Sequence, residues 1–180
     1  RLLLAASYGG MRVVDITDLG SMSQLATSGS TLGRVHGVAA APTGYAYLAG
    51  EQGGLLVYQI QAGSPMTLTW RNTLLTTGTA YDAAGTDRFA YVADFSYGLD
   101  IVDLLAPGGP TLVSPPATFF FQGTSVALAG PLAIAGDFSG FVRVLDVSDP
   151  AAPSELGAVF VTAARISSIA VAGTRAYVST

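Results

Sequence analysis

The chain of 180 residues holds one histidine, twelve acidic residues and no cysteine, so acid–base or metal chemistry would have to be built from that small stock. His36 could act as general base or acid with Asp82 or Arg165 nearby, a hydrolase-type arrangement. The nucleophile such a site needs is missing from the pattern, because no G-x-S-x-G elbow occurs. A zinc site is excluded by the absent cysteines and the lack of a second histidine. A calcium loop requires several oxygen ligands at close spacing, and DFSYG at Asp94 and DFSGF at Asp137 supply one carboxylate each. Asp94 and Asp137 therefore read as turn formers. The glycine pairs Gly9-Gly10, Gly53-Gly54 and Gly108-Gly109 read as hairpin turns, because no helical pattern follows them to complete a phosphate cradle. No catalytic residue, metal or cofactor is assigned.

The most motif-like residue is an aspartate that recurs at Asp15, Asp103 and Asp146. Two readings compete: a ring of carboxylates that binds cations, or an aspartate that closes a strand and accepts hydrogen bonds from the next turn's backbone. The second is preferred, since the copies fall in separate repeats. Asp149 and Pro150 extend the same turn in its fullest form, DVSDPAAPSELG.

What positions these residues is a repeat. FAYVADFSYGLDIVD (Phe89 to Asp103) has counterparts at Arg1 to Asp15, Tyr45 to Gln59 and Leu132 to Asp146, and a fifth copy starts at Arg175. A period in the forties built from short apolar runs predicts a β-propeller of four-stranded antiparallel blades. Each unit has a small-residue inner run (HGVAAA, TSVALA, SSIAVA), the two runs of the repeated phrase, and a looser, more polar outer run that is expected to meet water (SQLATSG, MTLTWRNTLL, GPTLVSPPATFFF, SELGAVFVT). The middle runs are apolar on both faces because each blade packs between two neighbours. Unit boundaries are expected near residues 34, 78, 122 and 165. The copies predict three complete blades flanked by two partial ones, an open arc from a larger ring whose remaining blades would be its partner. Arg1 followed by LLLAAS could be the tail of a signal peptide, but its register with YAYLAG and FAYVAD makes it a strand.

Half the residues are hydrophobic, as in a core-forming chain, yet every apolar run is interrupted well before the roughly 18 residues of a spanning helix. A net charge of −4, with arginine the only cation besides the histidine, offers no basic patch for nucleic acid.

GLDIVD (Gly98 to Asp103) and FVRVLDVSDPAAP (Phe141 to Pro153) resemble the LVIVD-repeat proteins, whose strand of that pattern runs into an Asp-Pro turn. Gln59 departs from the pattern where the other copies carry aspartate. The resemblance implies a β-propeller, in a family common among exported or surface-associated proteins, with no defined activity. In propeller geometry, the loop entering the inner strand and the loop between the second and third strands share one rim. That rim gathers Arg34, His36, Glu51, Gln52, Tyr81, Asp82, Asp94, Tyr97, Gln122, Asp137 and Arg165, and loops on a rigid scaffold are where binding concentrates. The expected function is a non-catalytic module presenting this rim to a protein or glycan. The alternative is a hydrolase with His36 at the channel mouth, for which Ala80, Thr124 and Ser167, its expected counterparts, offer no convergent chemistry. Phe119 to Phe121 are expected in blade packing.

Overall fold

The computed structural model describes residues 2–7, 10–29, 34–42, 44–51, 54–63, 65–114 and 121–180, with only the backbone for 2–7. Gln52, Gly9, Gly53, Phe119 and Phe120 lie outside the described residues. The described residues are all-β, in five antiparallel sheets. The first holds β1 (Leu2–Ser7), β2 (Gly10–Asp15) and β3 (Ser23–Thr27). Three four-stranded blades follow. They are β4 (Val35–Ala40) to β7 (Thr67–Leu74), with β5 (Tyr45–Gly50) and β6 (Gly54–Gln61) between; β8 (Ala80–Gly85), β9 (Phe89–Asp94), β10 (Gly98–Asp103) and β11 (Thr111–Leu112); and β12 (Gly123–Ala129), β13 (Leu132–Asp137), β14 (Phe141–Asp146) and β15 (Ser154–Phe160). The last sheet is the hairpin of β16 (Ser168–Ala172) and β17 (Arg175–Ser179).

Strands β4, β8, β12 and β16 are inner strands, the first of their units, whereas β1 heads its sheet as the second strand of its unit. β4 packs on β8, β8 on β12, and β12 on β16, which makes a partial propeller. The sheets do not close into a ring, because β16 pairs with β17 and β1 pairs with β2.

The core lies between blades. Tyr47, Leu55 and Val57 of one blade meet Ala83, Val92 and Val102 of the next. Leu99 and Ile101 in turn meet Val126, Ala135 and Leu145. A strand covered on both faces cannot alternate apolar with polar, so every residue of β10 is buried. Small residues set the spacing. A Cβ on Gly85 would fall 2.3 Å from the Tyr47 ring, so this glycine lets one blade's strand seat against its neighbour's aromatic side chain. The Tyr47 hydroxyl then donates to the Thr86 carbonyl at 3.0 Å. Desolvation at this contact pushes the Tyr47 pKa up to about 12.

Two expectations about the outer strands change. Among the described residues of GPTLVSPPATFFF, only Thr111 and Leu112 form a strand, β11, directly after Pro110, which carries no N–H for a ladder. Meeting water does not make β15 polar throughout: Leu156, Val159 and Phe160 are all more than half exposed. Phe121 is buried at 7 % exposure, under the Arg143 guanidinium at 4.9 Å from its ring centroid.

Gly85→Ala should destabilise the chain by about 1–3 kcal/mol, because the added methyl overpacks the Tyr47 contact. Urea unfolding of the variant against the parent checks this. Equal midpoints would show that the two blades are not seated as described.

Candidate functional site

One main-chain hydrogen bond recurs along a single rim. The first residue of the turn between second and third strands donates to the carbonyl just before the inner strand: Glu51 to Arg34 at 2.8 Å, Phe95 to Thr79 at 2.9 Å, Phe138 to Gln122 at 2.9 Å. A fourth bond joins neighbouring blades, from Ile166 N to the Asp137 carbonyl at 3.1 Å. These bonds bring two loops of each blade together, so their side chains form one surface.

Each complete blade also carries an irregularity at the start of its inner strand. Val35 pairs with Gly50 and Gly37 with Ala49, which leaves His36 as an extra residue. The same step leaves out Tyr81, between Ala80 and Asp82, and Thr124, between Gly123 and Ser125. A bulge of this kind re-aims a side chain. The counterpart of His36 in the third unit is therefore Tyr81 and not Ala80. Counting by the repeat period misplaced it because the connection to the second strand has four residues after β4 but three after β8.

The bulged residues do different things. Thr124 is buried, and its hydroxyl donates to the Ile166 carbonyl at 2.6 Å, a tie to the next blade. His36 and Tyr81 stack at 4.6 Å between ring centroids, with planes 15° apart. Tyr81 stacks on Phe95 at 5.2 Å, and Phe95 meets the edge of Phe138 at 5.5 Å. An aromatic row thus crosses three blades, with the half-exposed Phe138 at its far end. Arg165 brings its guanidinium to 5.9 Å from the Tyr81 centroid. Sequence reading missed Phe95 and Phe138, although a usable signal existed: both follow the aspartate of the matched DFS at 94–96 and 137–139.

His36 Nε2 is buried and makes no hydrogen bond; Glu51 Oε2 lies 4.0 Å away. Burial first, then the charge of Arg34, lowers the His36 pKa, with Arg165 adding to the effect and Glu51 opposing it. The ring is neutral at pH 7. Asp82 does not serve it as a partner. One Asp82 oxygen accepts from Ala83 N, and the other takes Ser125 Oγ and Val126 N, both at 3.1 Å, from the adjacent blade. Desolvation raises the Asp82 pKa against those bonds.

The other rim carboxylates are turned inward too. Asp94 is fully buried and accepts from Gly78, Ser96 and Tyr97 backbone N–H groups. Asp137 accepts from Ser139 and Phe141 and pairs with Arg143 at 3.3 Å, which also reaches Glu155 at 3.1 Å. Arg34, Glu51, Gln122 and Arg165 are exposed on the rim, and Tyr97 is half-buried.

On the opposite rim, Asp15, Asp103 and Asp146 each accept a bond at 2.8 to 2.9 Å from the backbone N–H two residues on, and Asp149 does the same at 3.0 Å with Ala151. Hydrogen bonding by the Thr17 and Ser148 side chains, then by their backbone N–H groups, lowers the Asp15 and Asp146 pKa values; at Asp103 the Arg88 guanidinium is the larger cause. Pro150 sits within the last of these turns. Among the described residues, no three His, Cys, Asp or Glu side chains are grouped to hold a metal ion. Among the described residues, no helix is long and apolar enough to cross a membrane.

The family model described as the LVIVD repeat matches residues 77–118 and 123–161. No curated protein matches the chain. Among solved structures, the chain is similar to the computationally designed Ika8 protein, with TM-score 0.69 and 11 % identity over 98 % of this chain and 52 % of that one. It is also similar to the β-propeller domain of Cps50 (Swd1) from Myceliophteria thermophila, with TM-score 0.67 and 12 % identity over 94 % of this chain and 55 % of that one. The chain spans about half the length of these structures, and at such identities the likeness shows the fold alone.

One ladder position separates the blades electrostatically. Where β14 has Arg143 beside Asp137, β10 has Asp100 near Asp94, so two buried carboxylates replace an ion pair. Asp100 accepts from Thr77 N at 3.2 Å, but burial, with the Asp94 charge adding to it, pushes its pKa up to about 6. A carboxyl that holds its proton more tightly folded than unfolded is stabilising at low pH. That stabilisation fades as pH rises from the unfolded value near 4 through 6. Asp100→Asn should therefore raise the melting temperature more at pH 7.5 than at pH 4, with a difference in stability of up to about 3 kcal/mol. Equal gains at both pH values, by calorimetry, would contradict the assignment.

Proposed function

Because this chain carries LVIVD repeats within an open propeller arc, we infer that it is a non-catalytic binding module whose ligand-facing surface is the rim bearing His36, Tyr81, Phe95 and Phe138. The observation that carries this reading is the aromatic row, which joins three blades on one rim and ends in an exposed ring. Rings fixed on a rigid sheet give up little conformational entropy on contact, which suits recognition of a protein or a glycan. The rest of a larger ring is a further partner. In support, the arc follows two solved chains about twice its length, one of them a β-propeller domain, and β15 leaves Leu156, Val159 and Phe160 uncovered. An exported or surface-associated setting is proposed on the resemblance of the repeat alone.

A second reading has one observation in its favour: a neutral imidazole with an unpartnered Nε2 could act as a general base. The two readings separate in one experiment. The chain is screened on protein and glycan arrays and against a panel of hydrolase substrates, beside Phe95→Ala/Phe138→Ala and an opposite-rim control, Asp18→Ala/Leu105→Ala. The binding reading expects array signals lost in the first variant and kept in the control. Turnover of a substrate by the parent but not by His36→Ala would establish the hydrolase instead.

A further inference from the structure

We propose that the Phe138–Arg165 corner of this rim is a subsite for a uronic acid residue of an acidic glycan, with the sugar ring on Phe138 and its carboxylate on the Arg165 guanidinium. This rests on the rim's being the binding surface, and it names the ligand class.

The corner is built by backbone. The bond from Ile166 N to the Asp137 carbonyl, 3.1 Å long, brings the backbones just before Ile166 and just after Asp137 together, so Arg165 and Phe138 spring from adjacent points although they belong to different blades. Phe138 is 50 % exposed, while its edge contact with Phe95 fixes the ring. A pyranose presents C–H groups on one face, and an aromatic face held open to solvent is the apolar surface that complements them. Arg165 is exposed, and its guanidinium lies over the Tyr81 ring with no carboxylate near enough for an ion pair among the described residues. A planar fork of donors is suited to a carboxylate, which it can bind through two parallel hydrogen bonds. The Tyr81 ring beneath this guanidinium stacks on Phe95, which in turn holds Phe138.

Charge sorts the two rims in the same sense. The exposed charges on this rim are Arg34, Arg165 and Glu51, a net positive set. Asp82, Asp94 and Asp137 spend their oxygens on backbone N–H groups, Ser125 and Arg143. The opposite rim carries Asp15, Asp18, Asp87, Asp146 and Asp149 against Arg175 and the Arg88–Asp103 pair. On a chain of net charge −4, an anionic ligand is therefore steered to one rim. The aromatic row favours a sugar over an acidic peptide, because a run of glutamates has no face to lay on Phe138.

The test is titration calorimetry of the chain with oligogalacturonate, oligoglucuronate, carboxyl-reduced oligogalacturonate and polyglutamate. Arg165→Gln and Phe138→Ala are compared with the parent, and far-UV circular dichroism confirms folding of these surface variants. The expected result is binding of at least one uronate oligomer, weakened about tenfold or more in each variant, with little binding of the reduced oligomer or of polyglutamate. Equal binding of the reduced oligomer overturns the carboxylate's role. Polyglutamate binding that is indifferent to Phe138→Ala makes this an acidic-peptide site instead. Failure of both uronates overturns the proposal. If neutral glycans or proteins still bind through Phe138, the broader reading of the rim survives that failure, and if nothing binds there, both fall.

Discussion

Everything on the candidate rim hangs from a main-chain hydrogen bond that the chain makes three times, from the first residue of the second turn back to the carbonyl before the inner strand. Each such bond contributes on the order of 1 kcal/mol net, so its importance is positional. It pins two loops of a blade to one another, and with Ile166 bonded to Asp137 it carries the alignment from one blade to the next. Phe95 and Phe138 are thereby the first side chains of matched turns, placed in line because their backbones are.

The inner-strand bulges add the second element. They hand His36 and Tyr81 to the aromatic row while Asp82, one residue further on, reaches across to Ser125 and Val126. One irregularity thus serves both surface and cohesion: the extra residue goes to the rim and the next one holds the neighbouring blade. The opposite rim is organised differently, by aspartates that fold back on their own turns, with Asp103 also paired to Arg88 of its own blade. The two rims of the same repeat therefore differ in chemistry, one joined by rings and the other by charged turns.

Architecture was legible because it is written in a period. Blade boundaries expected near 34, 78 and 122 stand against inner strands that begin at Val35, Ala80 and Gly123. The all-β class and the unclosed sheets also follow from repeat length and count. The outer strand of the β8–β11 blade was not legible, since apolar content suggested a long run where, among the described residues, only Thr111 and Leu112 are in a strand. The site was half legible. Loop geometry picks out Arg34, His36, Glu51, Tyr81 and Arg165, which do gather on one rim. The same rule brought in Asp94 and Asp137, whose polarity in a loop says nothing of whether water or a turn's backbone takes their oxygens. Phe95 and Phe138 were passed over because an aromatic residue inside an apolar repeat reads as core, and only the stacking distances separate a rim row from packing.

Hydroxyl-radical footprinting tests the central claim directly, since it reports which side chains a bound ligand covers. With a ligand selected by array bound to the chain, the account predicts reduced oxidation at Tyr81, Phe95 and Phe138, with Leu19, Met22 and Leu105 on the other rim unchanged. Protection of Leu19, Met22 or Leu105, with Phe138 oxidised as freely as in the unbound chain, would contradict it.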